Sequence, residues 1–124
     1  MAKVQVFTFS PFQENTYVVY EAGEAIIIDP GCFDESEEER LSAFLKSEQL
    51  TPIRLINTHC HLDHIYGNAY VRDTYNLPLE IPPDEEAMLA SADSMAAVFG
   101  APPPQSPAAE HYLRAGDKVR VGKT

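Results

Sequence analysis

The residues most capable of chemistry in this sequence are three histidines and one aspartate that lie within six positions. The chain has four histidines, and three of them belong to the segment formed by His59, His61, Asp63 and His64. Imidazole and carboxylate groups are the usual protein ligands of zinc and related divalent metals. A histidine-rich surface loop is the alternative, but packing gives no reason for three clustered histidines. The pattern therefore predicts a metal-binding segment.

The spacing of these side chains indicates two metal ions. In an extended backbone, side chains two residues apart point to the same side, so the rings of His59 and His61 can point the same way. Asp63 and His64 follow a predicted turn and can face a second position nearby. Four ligands are more than one open catalytic site needs, and pairs of metal ions activate water for hydrolysis. We therefore expect a dinuclear hydrolytic site.

The elements before the motif predict a sheet that carries it at one edge. Runs of strand-forming residues occupy 4–9, 16–20, 25–28 and 52–57, and the third run is apolar enough to be buried on both faces. A helix is predicted between the last two runs, with an apolar face formed by Leu41, Phe44 and Leu45. Its start is either a capping box from Ser36 to Glu39 or a cap at Asp34, two residues earlier.

A strand, a helix and a strand in this order make the two strands parallel neighbours. In α/β proteins, functional sites lie in the loops at the carboxyl ends of parallel strands. Asp29 and the segment that begins at Thr58 both follow such ends. The metal motif is therefore expected on a fixed loop at one edge of the sheet.

After the motif, the sequence pattern predicts further helices and strands. A helix is predicted at 65–75, and Leu77 to Ile81 reads as a short strand that Pro78 directs to the sheet edge. The remaining predictions are a helix at 84–99 that ends at Gly100, a stiff proline-rich connection at 101–107, a turn at 115–117 and a strand at 118–121.

Length, charge and cysteine content restrict the classes of function. The chain has 124 residues, which fits one domain, and carries nine basic against nineteen acidic residues, a net charge of −10. This charge disfavours nucleic acid as a partner. No apolar run approaches the ~20 residues that cross a membrane, and no secretory stretch precedes the first strand, so we expect a cytoplasmic protein without membrane contact. Two cysteines are too few for a disulfide scaffold.

The segment from His59 to His64 resembles the His-x-His-x-Asp-His motif of the metallo-β-lactamase superfamily. Its flanks, 56–58 and 65–68, resemble the family's preceding strand and its Ile-x-Gly-Asn continuation. Residues 15–19, the Asp-Pro-Gly turn at 28–31 and the Gly-Asp segment at 116–119 are also similar. The resemblance covers nearly the whole chain and is closest to the glyoxalase II-like branch, which contains small thioesterases.

This resemblance implies a fold, a ligand set and a reaction. The fold is the N-terminal half of the αβ/βα sandwich, a mixed β-sheet with flanking helices, and residues 1–124 form a single, apparently truncated domain. His59 and His61 would bind a first zinc ion, and Asp63 and His64 a second, with iron or manganese as alternative metals. Asp63 would also have a catalytic role, because it helps to orient the attacking hydroxide. The expected substrate is a small molecule, a thioester or another small ester.

The resemblance also implies that part of the site lies outside this sequence. In the family, a histidine in a Pro-Gly-His segment, a bridging aspartate and a final histidine complete the site, and none has a counterpart here. His111 matches none of them and is expected on the surface. A half-sandwich would expose one sheet face, so we expect self-association or pairing with the missing C-terminal half, weakened metal binding and doubtful activity of this chain alone.

Two alternative functions remain open. An iron-dependent persulfide dioxygenase-like enzyme resembles the same branch, and the chain can also be a non-catalytic metal-binding or assembly module. Cys32 and Cys60 lie near the expected metals and can bind metal or become oxidised, although two spectator thiols are the simpler interpretation. Substrate-binding residues are left unassigned, with Arg54, Tyr66 and Tyr70 as weak candidates.

Overall fold

The computed structural model describes residues 2–122, which form one mixed sheet with helices. The strands are β1 (Lys3–Phe9), β2 (Glu14–Glu21), β3 (Glu24–Ile28), β4 (Thr51–Ile56), β5 (Leu79–Ile81) and β6 (His111–Tyr112). The helices are α1 (Glu35–Ser47), α2 (Leu62–Ile65), α3 (Asn68–Tyr75), α4 (Glu86–Ala90) and α5 (Ala92–Val98), with a short 3-10 turn at Pro83–Glu85 before α4. None of the helices in this part of the chain is long and apolar enough to span a membrane.

The six strands follow one another in space as they do in sequence. β1, β2 and β3 pair antiparallel, and β3, β4, β5 and β6 pair parallel. The predicted parallel pairing across the helical connection is confirmed, with Ile28 opposite Ile56. β3 is buried as its apolar run predicts, because the exposed fraction of both Ile26 and Ile27 is 3% or less. The carboxyl ends of β3 and β4 therefore lie side by side.

Helix α1 begins at the earlier of its two predicted starts. Asp34 is the N-cap, and its carboxylate accepts a hydrogen bond of 3.0 Å from the Glu37 amide. Ser36 consequently lies inside the first turn and does not cap the helix. Leu41 and Leu45 are buried against the sheet, as the helical spacing predicts.

The two faces of the sheet are covered to different extents. One face of the sheet packs against α1 and α3, and together they form the main core. Its fully buried side chains include Phe9, Val18, Ile27, Leu55 and Leu79. On the other face, Val121 packs against Ile26 and Ile56. Farther along that face, Val4 and Val6 on β1 are 58% and 46% exposed. The exposed sheet face that was expected is therefore present at β1.

Two predicted helices are each divided in two. The helix predicted at 65–75 is interrupted at Gly67, whose N–H donates to the Pro30 carbonyl at 2.7 Å instead of continuing a helix. The helix predicted at 84–99 is interrupted at Ser91, whose hydroxyl contacts the carbonyls of Ala87 and Met88. Both predictions of single helices are wrong. At Gly67 a backbone hydrogen bond is diverted to Pro30, which apolar periodicity does not report. At Ser91 the backbone hydrogen bonds to Ala87 and from Met95 are kept, and only the side chain contacts the preceding turn.

The strand predictions near the carboxyl end are also partly wrong. The turn at Ala115–Gly116 is present, but residues 118–121 have no strand partner within the described chain and pack on the sheet face through Val121. Instead, β6 pairs with β5 and occupies the edge. β5 is therefore an interior strand, and Pro78 avoids the ladder because it precedes the first paired residue, Leu79.

Candidate metal centre

The loop that carries the metal motif is fixed at its base by a buried pair of asparagines. The amide N–H of Asn57, directly after β4, donates to the Glu80 carbonyl at 3.0 Å. The side chains of Asn57 and Asn68 exchange two hydrogen bonds, of 3.1 and 2.7 Å, and both residues are fully buried. The end of β4 is therefore joined to the start of α3, and the segment between them is closed as a short loop.

Asp29 connects the end of β3 to this loop. It adopts a left-handed backbone conformation (φ 53°), which aspartate tolerates better than most residues. This turn directs its carboxylate at Thr58, whose backbone N–H donates to Oδ1 at 2.7 Å and whose hydroxyl donates to Oδ2. Asp29 is 2% exposed, so the interaction is shielded from water.

The Thr58 hydroxyl also sets the orientation of His59. Its oxygen lies 3.1 Å from His59 Nδ1. Because the single hydroxyl proton is donated to Asp29, the Thr58 oxygen can only accept from His59, which requires a proton on Nδ1. The lone pair of His59 is then on Nε2, the nitrogen that remains free to bind a ligand.

The structure brings the four residues of the predicted ligand set together. The ring centroids of His59, His61 and His64 are 5.6 to 6.1 Å apart. Asp63 Oδ2 lies 3.9 Å from His64 Nε2. His59 and His61 are exposed, whereas the side chains of Asp63 and His64 are 31% and 24% exposed. The arrangement is open towards solvent on the His59 and His61 side and closed beneath His64.

Two buried carboxylates lie beneath His64. Its Nδ1 is 3.2 Å from Asp29 Oδ2 and 3.6 Å from Glu14 Oε1. The close contact with Asp29 raises the pKa of His64 above its ordinary value. With Nδ1 directed at these acids, Nε2 faces Asp63. In metal-binding histidines, a carboxylate usually lies beside the ring nitrogen that does not bind the metal, because this contact fixes the orientation and the tautomer of the ring.

Glu14 is a carboxyl group in an unusually dry position. Burial raises the pKa of Glu14 to about 8, so the carboxyl is largely protonated at neutral pH. The Thr16 hydroxyl lies 2.9 Å from both Glu14 Oε2 and the Asp29 carbonyl, and it accepts from the Gly31 amide at 3.0 Å. One hydroxyl proton cannot serve two acceptors, but a protonated Glu14 that donates to Thr16 satisfies all three contacts.

Sequence reasoning did not assign Glu14 and Asp29 to the site. Glu14 opens β2, and the alternation of the strand places it on the same buried face as Thr16 and Val18. An acidic residue at an inward-facing strand position was the available signal. For Asp29, the signal was its position at the end of a buried strand, next to the strand that precedes the motif.

A model of the metallo-β-lactamase superfamily matches residues 9–121 of the sequence. The chain belongs to the metallo-β-lactamase superfamily. The probable metallo-hydrolase YqgX of Bacillus subtilis is 32% identical over 82 residues, which cover 66% of this chain and 37% of that protein. The hydroxyacylglutathione hydrolase of Thiobacillus denitrificans is 30% identical over 111 residues, which cover 89% of this chain and 34% of that relative.

Solved structures of the superfamily have the same arrangement of elements. The crystal structure of TTHA1623 in a di-iron-bound form superposes with a TM-score of 0.81 and 31% identity, over 94% of this chain and 57% of that one. The fold class predicted from the sequence is confirmed. The chain thus spans about a third to 57% of the lengths of these superfamily members.

The residues of the site fit a divalent cation, as in other members of the superfamily. Glu14 Oε1 and His64 Nδ1 are buried and make no well-aligned hydrogen bond within residues 2–122, although Nδ1 lies 3.2 Å from Asp29 Oδ2. One ligand atom each from Glu14, Asp29 and His64 lies within 4.8 Å of the others. Both oxygens of Asp29 already accept hydrogen bonds from Thr58, so we do not count Asp29 as a metal ligand. We assign Asp29 and Glu14 to the support of the His64 ring. Nε2 of His64, together with Asp63, then remains for the ion.

The cysteines near the motif are unsuited to chemistry. Cys32 and Cys60 are both 1% exposed. Burial and the neighbouring Glu85 raise the pKa of Cys60 to about 12, and burial also raises the pKa of Cys32. Both thiols are therefore buried and protonated in the metal-free chain, whereas nucleophilic attack requires an accessible thiolate. This supports the interpretation of two spectator thiols.

The remaining candidates from the sequence are engaged elsewhere. Arg54 forms a bidentate ion pair with Glu80 between β4 and β5. The hydroxyl of Tyr66 donates to the Pro102 carbonyl at 3.0 Å, and that of Tyr70 contacts Ser42. His111 is exposed on β6, as expected. The described side-chain hydrogen bonds of Arg54, Tyr66 and Tyr70 are thus made with residues outside the motif.

Proposed function

We propose that the protein is a metal-dependent hydrolase that cleaves a thioester or another small ester. The observation that carries the proposal is the convergence of three imidazoles and one carboxylate on a loop fixed by Asp29 and the asparagine pair. The similarity to a hydroxyacylglutathione hydrolase supports the choice of a thioester. Because the chain covers only part of its relatives, the proposal concerns the complete gene product.

In this proposal the four motif residues divide between two ions. His59 and His61, whose side chains face the open side, hold the first, and Asp63 and His64 hold the second. Divalent ions, when bound, lower the pKa of water and polarise a carbonyl oxygen. The chain itself keeps His59 in the tautomer with a free Nε2 and keeps His64 Nδ1 on Asp29. Asp63 has a free carboxylate oxygen that can accept a hydrogen bond from the attacking water and orient it.

The metal is proposed to be zinc, with iron as the main competitor. Imidazole and carboxylate ligands suit both metals, so the donor set alone does not choose between them. One similar structure is described as di-iron-bound, which supports testing iron and manganese beside zinc.

The proposal is tested by hydrolysis of a hydroxyacylglutathione thioester. The complete gene product, loaded separately with zinc, iron or manganese, should release the thiol, and His59→Ala should abolish the release. His111→Ala is the matched control, because this exposed histidine lies outside the motif and should leave activity unchanged. Full activity of the His59→Ala variant would contradict the proposal.

We also propose a small-molecule substrate and a cytoplasmic location without nucleic acid or membrane partners. The net charge of −10 supports the exclusion of nucleic acid. Self-association, or pairing with a C-terminal half, is supported by the exposed Val4 and Val6 on the open sheet face. Light scattering of the 124-residue chain tests this point: a mass above 13.8 kDa is expected, and a monomer at all concentrations would contradict self-association.

A further inference from the structure

An apolar cavity lies directly beside the metal motif. Its volume is about 330 Å³, which is within the range of small-molecule sites. The walls are formed by the motif loop on one side and by helices α4 and α5 on the other. The side chains that matter for its chemistry are Cys60, His61, Leu62, Met88, Met95 and Phe99.

The floor of this cavity is buried and is anchored by a backbone hydrogen bond. Cys60 and Ala92 are buried at 1% and 3% exposure. The backbone N–H of Cys60 donates to the Glu85 carboxylate at 2.8 Å, which connects the motif loop to the turn that precedes α4. The two walls are therefore joined by a hydrogen bond next to His61.

The mouth of the cavity is lined by flexible side chains that are exposed to solvent. Met95 and Phe99 are 37% and 69% exposed, and Met88 is half-buried. Methionine side chains are flexible and polarizable, so they adjust to ligands of different shape. Exposed apolar side chains at the mouth of a cavity, next to a reactive site, are typical of a binding surface.

The lining determines what kind of ligand fits. Apart from the His61 ring, the cavity walls offer carbon and sulfur atoms and no charged side chain. A peptide, a sugar or a nucleotide would lose the hydration of its polar groups there without gaining partners, which is unfavourable. A carboxylate would find no lysine or arginine in the lining. A hydrocarbon chain has none of these requirements.

From these observations we infer that the cavity binds the acyl chain of the substrate, and that the substrate is a thioester or ester with a medium-length aliphatic acyl group. This inference rests on the proposed function and names the acyl part of its substrate. An acyl chain in the cavity would place its carbonyl end at His61, because that ring forms both part of the cavity wall and part of the motif. Met95 and Phe99 then act as specificity-determining residues.

Binding to the metal-free protein tests the cavity without turnover. The probes are two uncharged thioesters, S-acetyl- and S-hexanoyl-N-acetylcysteamine, titrated into the metal-free complete gene product and followed by NMR. Each buried CH2 group tightens binding by up to about fourfold, so the hexanoyl probe should bind at least about tenfold more tightly than the acetyl probe.

A matched pair of variants on α5 locates the binding. Met95→Gln, on the cavity rim, should reduce the preference for the hexanoyl probe at least about threefold and leave acetyl binding unchanged. Val98→Gln makes the corresponding change at a residue that is 76% exposed and outside the cavity, and it should have no effect. Equal binding of both probes, or equal losses in the two variants, would overturn the inference.

Turnover by the metal-loaded complete gene product separates this inference from the proposed function. Hydrolysis that does not depend on acyl length would overturn the acyl cavity and leave the proposed function intact. Chain-length-dependent binding with loss on Met95→Gln supports the cavity even where neither the thioesters nor the corresponding oxygen esters are hydrolysed, a result that would overturn the proposed function alone.

Discussion

The two halves of the metal centre differ in burial and in what supports them. The buried base, formed by Glu14, Thr16 and Asp29, has exposures of 4% or less and is joined by hydrogen bonds to the strand ends. The open rim, formed by His59 and His61, is exposed, and its one described side-chain hydrogen bond is that of His59 with Thr58. The difference indicates that the base fixes the geometry of the loop, whereas the rim remains free to bind.

Removal of the central carboxylate of the buried base should have the largest effect on stability. Asp29→Ala leaves the Thr58 N–H and the Thr58 hydroxyl without their buried acceptor and removes the carboxylate that lies 3.2 Å from His64 Nδ1, which should lower the free energy of unfolding by about 3–5 kcal/mol. Urea denaturation of the metal-free chain measures this loss. The control is Asp73→Ala, whose side chain is 66% exposed, and it should cost at most about 0.5 kcal/mol. Similar losses in both variants would contradict a supporting role for the base.

The dry position of Glu14 predicts a specific dependence of stability on pH. Because its pKa is raised from 4.5 to about 8, the folded state holds a proton that the unfolded state releases. This contribution is fully present below pH 4.5 and is lost as pH rises towards 8, by roughly 4 kcal/mol in the metal-free chain. Glu14→Gln, which carries no titratable proton, should flatten the curve of unfolding free energy between pH 5 and 8. Parallel curves for the two proteins would show that Glu14 is ionised when folded.

The link between base and rim is a single hydroxyl. Thr58→Val keeps the shape of the side chain but removes the donor to Asp29 and the acceptor of His59 Nδ1. The expected loss of unfolding free energy is about 1 kcal/mol, with a fall in zinc affinity of about tenfold because His59 loses its fixed tautomer. Urea denaturation measures the loss of unfolding free energy, and isothermal titration with zinc measures the fall in affinity. Unchanged zinc affinity would indicate that the rim is independent of the base.

Much of this arrangement was predictable from the sequence. Periodicity and turn residues predicted five strands at their correct places, the parallel pairing of β3 with β4, and the four motif residues on one loop. The buried base was not predicted, because Glu14, Asp29 and His64 are separated in sequence by 15 and 35 positions and meet only when β2, β3 and the loop pack together. The break in the helix predicted at 65–75 was missed for a related reason, since the contact of Gly67 with Pro30 is also non-local.

Substitution at the open rim should have the smallest effect on stability. His59→Ala removes an exposed ring, so the free energy of unfolding of the metal-free chain should change by less than about 0.5 kcal/mol. The same variant should lose activity in the thioester assay. Thermal unfolding in the presence of a chelator measures the first quantity, and a loss comparable to that of Asp29→Ala would remove the distinction between base and rim.

The central claim is that the motif from His59 to His64 is the metal centre, and zinc content per chain tests it most directly. The complete gene product and its His59→Ala/His61→Ala variant are equilibrated with zinc, dialysed and submitted to elemental analysis. The account predicts about two ions per chain in the unmodified protein and the loss of at least one in the variant, with unfolding in chelator unchanged. Equal zinc content in both proteins would contradict it.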